Sequence, residues 1–164
     1  DAVKKANEDF LLAQLKYRQQ EQGPWVKGFS DIFREWIRKA KNAYIEYAAA
    51  FPNATFLVRQ EMERNIEFQR FLDQARNHKL SNKLGWDTYL KAPITRLQHY
   101  GLLLSTVHKN MREDSEEKAN LHTAIEEIRI VTLECDARVA EMSRKGELLD
   151  LGSKLILRPG MKGV

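Results

Sequence analysis

The chain has 164 residues, enough for one domain with its own core, and its 27 lysines and arginines stand against 23 aspartates and glutamates. The resulting +4, with both signs interleaved, is too weak a bias to argue for nucleic acid. One cysteine, Cys135, excludes an internal disulfide or a cysteine-built zinc cage and makes the cytosol the expected location; no apolar run approaches the roughly 20 residues needed to cross a bilayer.

From Asp1 to about Glu21, Val3, Ala6, Phe10, Ala13 and Tyr17 recur at helical spacing, which predicts an amphipathic helix ended by Gly23-Pro24. Gly28 and Ser30 read as a stop and a new N-cap. Ile32, Phe33, Trp36, Ile37, Ala40, Tyr44 and Tyr47 then form a stripe wide enough to be buried on more than one side of a helix running to about Phe51. Pro52-Asn53 is expected to close it, and Thr55 to open another helix reaching about Asn77, before a polar connection over Arg76 to Asn82.

Leu84 to Met111 is the most informative stretch. A proline fixes its own φ and lacks an N–H, so a helix should restart or bend at Pro93. Leu97, Gly101, Leu104 and His108 share one line at spacings of three and four, while Arg96, Gln98 and His99 rotate away from it. Gly101 in mid-helix suggests close approach of a neighbouring helix. Past a turn at Arg112 to Glu117, with Asp114 or Ser115 as N-cap, Leu121, Ile125, Ile128, Thr132, Cys135, Val139 and Met142 predict a long packed helix. Gly146 and Gly152 are expected to interrupt its end, and Lys154 to Gly160 reads as a short strand or extended linker. The fold class is all-α, with 1–152 as the helical domain and 153–164 as a linker or first strand of a further element.

The chemistry is sparse. His78, His99, His108 and His122 have no metal-ligand spacing, Cys135 lies on an apolar stripe and reads as a packed thiol, and no glycine-rich phosphate loop exists. The carboxylate pairs Glu116-Glu117 and Glu126-Glu127 point to different helical faces and read as solvated. Trp25, Trp36 and Trp86 read as packing residues rather than base-stacking ones. Arg34, Arg38, Lys39 and Lys41 read either as an ordinary helix exterior or as a patch for an anionic membrane. No cofactor is expected. Function must therefore lie in presenting a helical surface to a partner.

The run Tyr89-Leu90-Lys91-Ala92-Pro93-Ile94-Thr95-Arg96-Leu97-Gln98-His99-Tyr100-Gly101-Leu102-Leu103-Leu104 resembles the third conserved region of Dbl-homology (DH) domains, the exchange modules for Rho-type small GTPases, and most of all the fungal exchange factors of the cell-wall pathway. Ser115 to Leu121 with Ala124-Ile125 is similar to the start of the family's last long helix. Leu155 to Gly160 looks like its junction to a pleckstrin-homology (PH) domain. The resemblance implies an elongated helical bundle of the DH type that grips both switch regions of a GTPase and favours its nucleotide-free form, with Thr95, Arg96, Gln98 and His99 on the displayed face and Asp136 opposite. It also implies recruitment from the cytoplasm to the plasma membrane periphery through an adjacent PH domain.

Some positions depart from the family pattern. Its first helix, bearing a glutamate for switch I, has no counterpart here, so Phe10, Trp36 and Tyr44 are expected to lose part of their cover. Ala92, Thr95, His99 and Gly101 replace commoner residues, and Asp136 stands where an asparagine contacts switch II. The alternative functions are a non-catalytic helical scaffold that binds a partner without exchange, and a membrane-surface helical bundle.

Overall fold

A computed structural model describes residues 1–112 and 115–156, and among them every regular element is helical. The first helix divides into α1 (Ala2–Asn7), a π-helical turn over Glu8–Leu12, and α2 (Ala13–Gln22). The remaining helices are α3 (Ser30–Arg64), α4 (Ile66–Asn77), α5 (Trp86–Asn110) and α6 (Glu116–Ile156), with a 3₁₀ turn at Lys79–Ser81. The π turn shifts the register of the first helix. Positions 6 and 11 lie roughly 140° apart on a regular α-helix, yet Ala6 and Leu11 are both buried, because the wider turn under-rotates the chain between them. The buried line therefore passes to Leu11 and Leu15, while Ala13 and Tyr17 of the expected stripe face solvent.

Helix α3 does not stop at Pro52. Thr55, expected to open a new helix, instead donates its hydroxyl to the Phe51 carbonyl one turn back at 3.0 Å, so it sits within a continuing helix. The break comes at Asn65, whose side-chain oxygen accepts from the N–H groups of Glu67 and Phe68, both at 3.1 Å, and starts α4. Likewise α5 runs unbroken through Pro93 rather than restarting there. Ser115 caps α6 through Lys118 N–H at 3.1 Å. That helix passes through Gly146 and Gly152 to Ile156, beyond the boundary expected at 152; Leu157 to Val164 of the expected tail lie outside the described residues.

The core is the seam between α3, α5 and α6. Trp36, Ile37 and Tyr44 from α3 meet Leu97 and Leu104 from α5 and Leu121, Ile128 and Cys135 from α6, all fully buried. Edge-on aromatic contacts run from Phe29 to Phe33 and on to Trp36, which meets Tyr44 at 6.0 Å and Tyr100 at 5.2 Å between ring centroids. The expectation of lost cover thus fails for Trp36 and Tyr44, whose stripe is closed by its own neighbours, and Phe10 is half-buried with Lys39 Nζ 4.6 Å from its ring centroid. The large apolar side chains left exposed on α5 and α6 include Leu102, Leu103, Ile130 and Leu133.

The start of α3 is held from a distance. Phe29 occupies its N-cap position and offers no side-chain cap. Glu117, in the first turn of α6, supplies one: its Oε1 accepts from the N–H groups of Phe29 and Ser30, both at 2.8 Å, and its Oε2 accepts from the Ser30 hydroxyl at 2.8 Å. Ser30 is therefore the first residue of the helix and a donor, not the cap that the sequence suggested. Gly28 leaves room beside it, since a Cβ there would lie 2.6 Å from the Glu117 carboxylate and push it off its donors. Arg18 completes the corner, donating to the Gly28 carbonyl at 2.8 Å and to both oxygens of Asp31 at 2.8 and 2.6 Å.

Glu117→Ala removes three hydrogen bonds to a carboxylate and is expected to cost about 2–3 kcal/mol, read by denaturant unfolding. Gly28→Ala displaces the same carboxylate, so the double variant should fall short of additivity by about 1 kcal/mol or more. A second outcome concerns pH. The Arg18 guanidinium holds the Asp31 carboxyl below its ordinary value of 3.8, so this pair's contribution is present above that value and is lost as pH falls through the lower folded one. Asp31→Asn should flatten that acid limb in thermal melts taken below about pH 4 and leave the slope near neutrality unchanged.

Candidate functional site

The displayed face of α5 follows from its period. Ile94, Leu97 and Leu104 turn inward and are buried, Thr95 is half-buried, and Arg96, Gln98 and His99 are exposed. In front of this face, between the Asp1–Asn7 segment, α3 and α5, lies a groove of about 920 Å³. Thr95, Arg96 and His99 line it, and its floor includes Tyr44, Tyr47 and Tyr100. Gln98 and Asp136 are not among its lining residues. Asp136 is exposed on α6, next in sequence to buried Cys135.

Arg96 lays its guanidinium over the Tyr100 ring at 4.8 Å and forms no ion pair among the described residues, so its charge is not consumed by an internal salt bridge. The side chains of Thr95, Gln98, His99 and Asp136 likewise make no hydrogen bond to another described residue. A helical face with its polar ends unspent and its apolar side locked into a core is a rigid contact surface. It is not a nucleophilic one. Burial pushes the Tyr44 hydroxyl up to about 12, and burial, with Asp136 and Glu134 beside it, pushes the Cys135 thiol up to about 11.

Several residues have other roles than their sequence positions suggested. Most of the basic cluster fastens α3 to α6: Arg34 and Arg38 reach Glu127 at 3.7 and 2.7 Å and Lys41 reaches Glu134 at 3.3 Å, while Lys39 pairs with Glu35 at 2.6 Å within α3. That use removes the motive for a membrane-surface bundle. Glu127 and Glu117 are half-buried and interhelical rather than solvated, and Glu126 pairs with Arg129 at 2.8 Å. Trp36 is core, but Trp25 is 86% exposed. His108 and His122 meet across α5 and α6 with ring centroids 5.7 Å apart. Among the described residues, no group of three or more histidines, cysteines or acids is placed to hold a metal. The residues that sequence reasoning missed are Glu117 and Tyr47, the latter donating its hydroxyl to the Leu90 carbonyl; neither carries a local signal, because each acts on a partner more than 40 positions away.

Comparison with known proteins agrees with this geometry. The RhoGEF domain model matches residues 1–136. Rho1 guanine nucleotide exchange factor 3 of Schizosaccharomyces pombe is 33% identical over 158 residues, covering 96% of this chain and 12% of that protein. Rho1 guanine nucleotide exchange factor 1 of the same yeast is 29% identical over 149 residues, covering 91% and 11%. The chain thus spans about an eighth of the length of such relatives. Among solved structures, the DH/PH domain of human ARHGEF11, in a ternary complex with human RhoA and its inhibitor, shares the fold with a TM-score of 0.81 at 19% identity, covering 91% of this chain and 43% of that one. The DH domain of FARP2 gives 0.73 at 21%, covering 93% and 73%.

Gly101 offers a direct check on how α5 meets α6. A Cβ built there would stand 3.9 Å from Ile128 Cγ2, an ordinary van der Waals contact, so the approach is close without demanding glycine. Gly101→Ala is expected to stabilise the protein by about 0.5–1 kcal/mol in denaturant unfolding, through helix propensity alone.

Proposed function

The chain belongs to the RhoGEF domain family, and we propose on that premise that it is the exchange module of a guanine nucleotide exchange factor for a Rho-type small GTPase. The observation that carries the reading is the α5 face, where Thr95, Arg96, Gln98 and His99 project from a helix whose opposite side is locked into the core by Ile94, Leu97 and Leu104. A fold relative has been solved in complex with human RhoA through its DH/PH fragment, which supports a GTPase as the occupant. Asp136 on α6 joins this contact from the other side.

Exchange on such a surface is differential binding. A GTPase samples states in which its switches close over nucleotide and states in which they do not. A partner accelerates release to the extent that it binds the open states more tightly. A rigid helical face suits that task, because a surface that adjusted to either state would prefer neither. The action is binding, without covalent chemistry in the chain's own side chains. We assign 1–152 to this module and 153–164 to a connection toward a PH domain that brings it to the plasma membrane periphery; α6 carries helix across that boundary.

The test is release of fluorescent GDP from Rho-type GTPases by the full-length protein. Acceleration is expected, and alanine at Thr95, Gln98 and His99 together should reduce it by about tenfold or more, equivalent to losing roughly 1.4 kcal/mol of preference for the open state. No acceleration for any Rho-type GTPase would overturn the reading. Equal affinity for GDP-loaded and nucleotide-free GTPase would identify a scaffold that binds without exchange.

A further inference from the structure

Two tyrosines one turn apart on α3 form part of the groove floor, and their hydroxyls are tied to opposite walls. Tyr44 accepts from Asn7 Nδ2 at 2.8 Å and so holds the first helix. Tyr47 donates to the Leu90 carbonyl and so holds α5.

The place of the second tie is informative. Leu90 lies three residues before Pro93, in the turn that a proline disturbs. With no N–H of its own, Pro93 leaves the Tyr89 carbonyl without its helical partner, and its ring crowds that carbonyl outward. The direction of α5 before this turn is therefore less strongly fixed to the rest of the helix by its own ladder than elsewhere. Packing does not make up the difference, because no residue from Trp86 to Ala92 is buried; the inward anchors begin at Ile94. The Tyr89 hydroxyl bonds the Ser81 carbonyl at 2.8 Å in the preceding loop and does not reach α3. Among the described residues, the Tyr47 hydroxyl makes the one hydrogen bond from α3 to α5. It is half-buried, and burial raises its pKa above the ordinary value.

Resting on the reading of α5 as the GTPase-facing element, we propose that Tyr47 is a positioning residue for exchange: by holding the Leu90 carbonyl, its hydroxyl seats the unburied first turns of α5, and so sets the Thr88, Tyr89 and Ala92 wall of the groove beside the core-held Thr95, Arg96 and His99. Contact between the Tyr47 hydroxyl and the GTPase forms no part of this role. The core-held face still meets the GDP-bound GTPase; what the tie adds is the set of the groove wall beside that face, against which the open state is received.

Tyr47→Phe in the full-length protein keeps the ring and deletes only the tie. The maximal rate of GDP release is expected to fall about fivefold, the worth of one hydrogen bond, with KM for the GDP-bound GTPase held within about twofold. The thermal midpoint should move by no more than about 4 °C, the shift that one hydrogen bond carries in a domain of this size. Amide hydrogen exchange should quicken over Tyr89–Ala92 and stay unchanged along α6. An unchanged release rate overturns the proposal. So does a loss of rate that comes with a drop in thermal midpoint well beyond that of one hydrogen bond or with exchange quickened throughout, since that pattern marks a merely structural tyrosine. Failure of the underlying function is told apart from either, because it would show in the unsubstituted protein as no release from any Rho-type GTPase.

Discussion

The carboxylate of Glu117 is the constraint on which the arrangement of the helices depends. It closes the open N-terminus of α3 from the first turn of α6, so two helices far apart in sequence begin at one point and run on from it with a fixed stagger. From that shared origin Ile32, Phe33, Trp36, Ile37 and Tyr44 meet Leu121, Ile128 and Cys135 turn by turn, and the Arg34, Arg38 and Lys41 ion pairs to Glu127 and Glu134 follow along the flank. Those exposed or half-exposed pairs add little energy each, but they fit only one stagger. Helix α5 then has a single seat, with Tyr100 against Trp36 and Phe33 on one side and Gly101 against Ile128 on the other.

The sequence was most legible where burial is periodic. The line Leu121, Ile128, Cys135 and the stripe Trp36, Ala40, Tyr44 read directly as helix faces, and the all-α class followed from them. It misled where single residues were taken as punctuation. Pro52, Gly146 and Gly152 all lie inside helices, because one missing hydrogen bond or about 1 kcal/mol of propensity is outweighed by the ladder on either side. The true break at Asn65 was hidden in a charged run, although its capping oxygen is a local feature. The π turn could not be read from the pattern either, since Phe10 and Leu11 both satisfy an apolar stripe and only packing chooses between them.

For the candidate site the division is the same. That Arg96, Gln98 and His99 face away from Leu97 is a matter of helical period and was visible at once. That three of the proposed contact residues share a groove with Tyr44, Tyr47 and the Asp1–Asn7 segment is a matter of tertiary closure and was not. The proposed function rests on both. A face that reports the shape of a partner must be stiff, and stiffness here comes from behind: an aromatic seam under Tyr100 and hydroxyl ties at the groove floor.

Helix α6 has a mechanical consequence. Past Cys135 it loses its buried contacts within two turns, yet the helix continues to Ile156 as one rod. An unbroken rod transmits rather than absorbs. With 1.5 Å of rise per residue, the span from Cys135 to Ile156 is a lever of roughly 30 Å, and each degree of tilt at the bundle end moves the far end by about half an ångström. Leverage works in both directions: a load applied beyond the bundle arrives at the turn bearing Asp136 as a torque, and the angle of α6 against α5 is the quantity it would change.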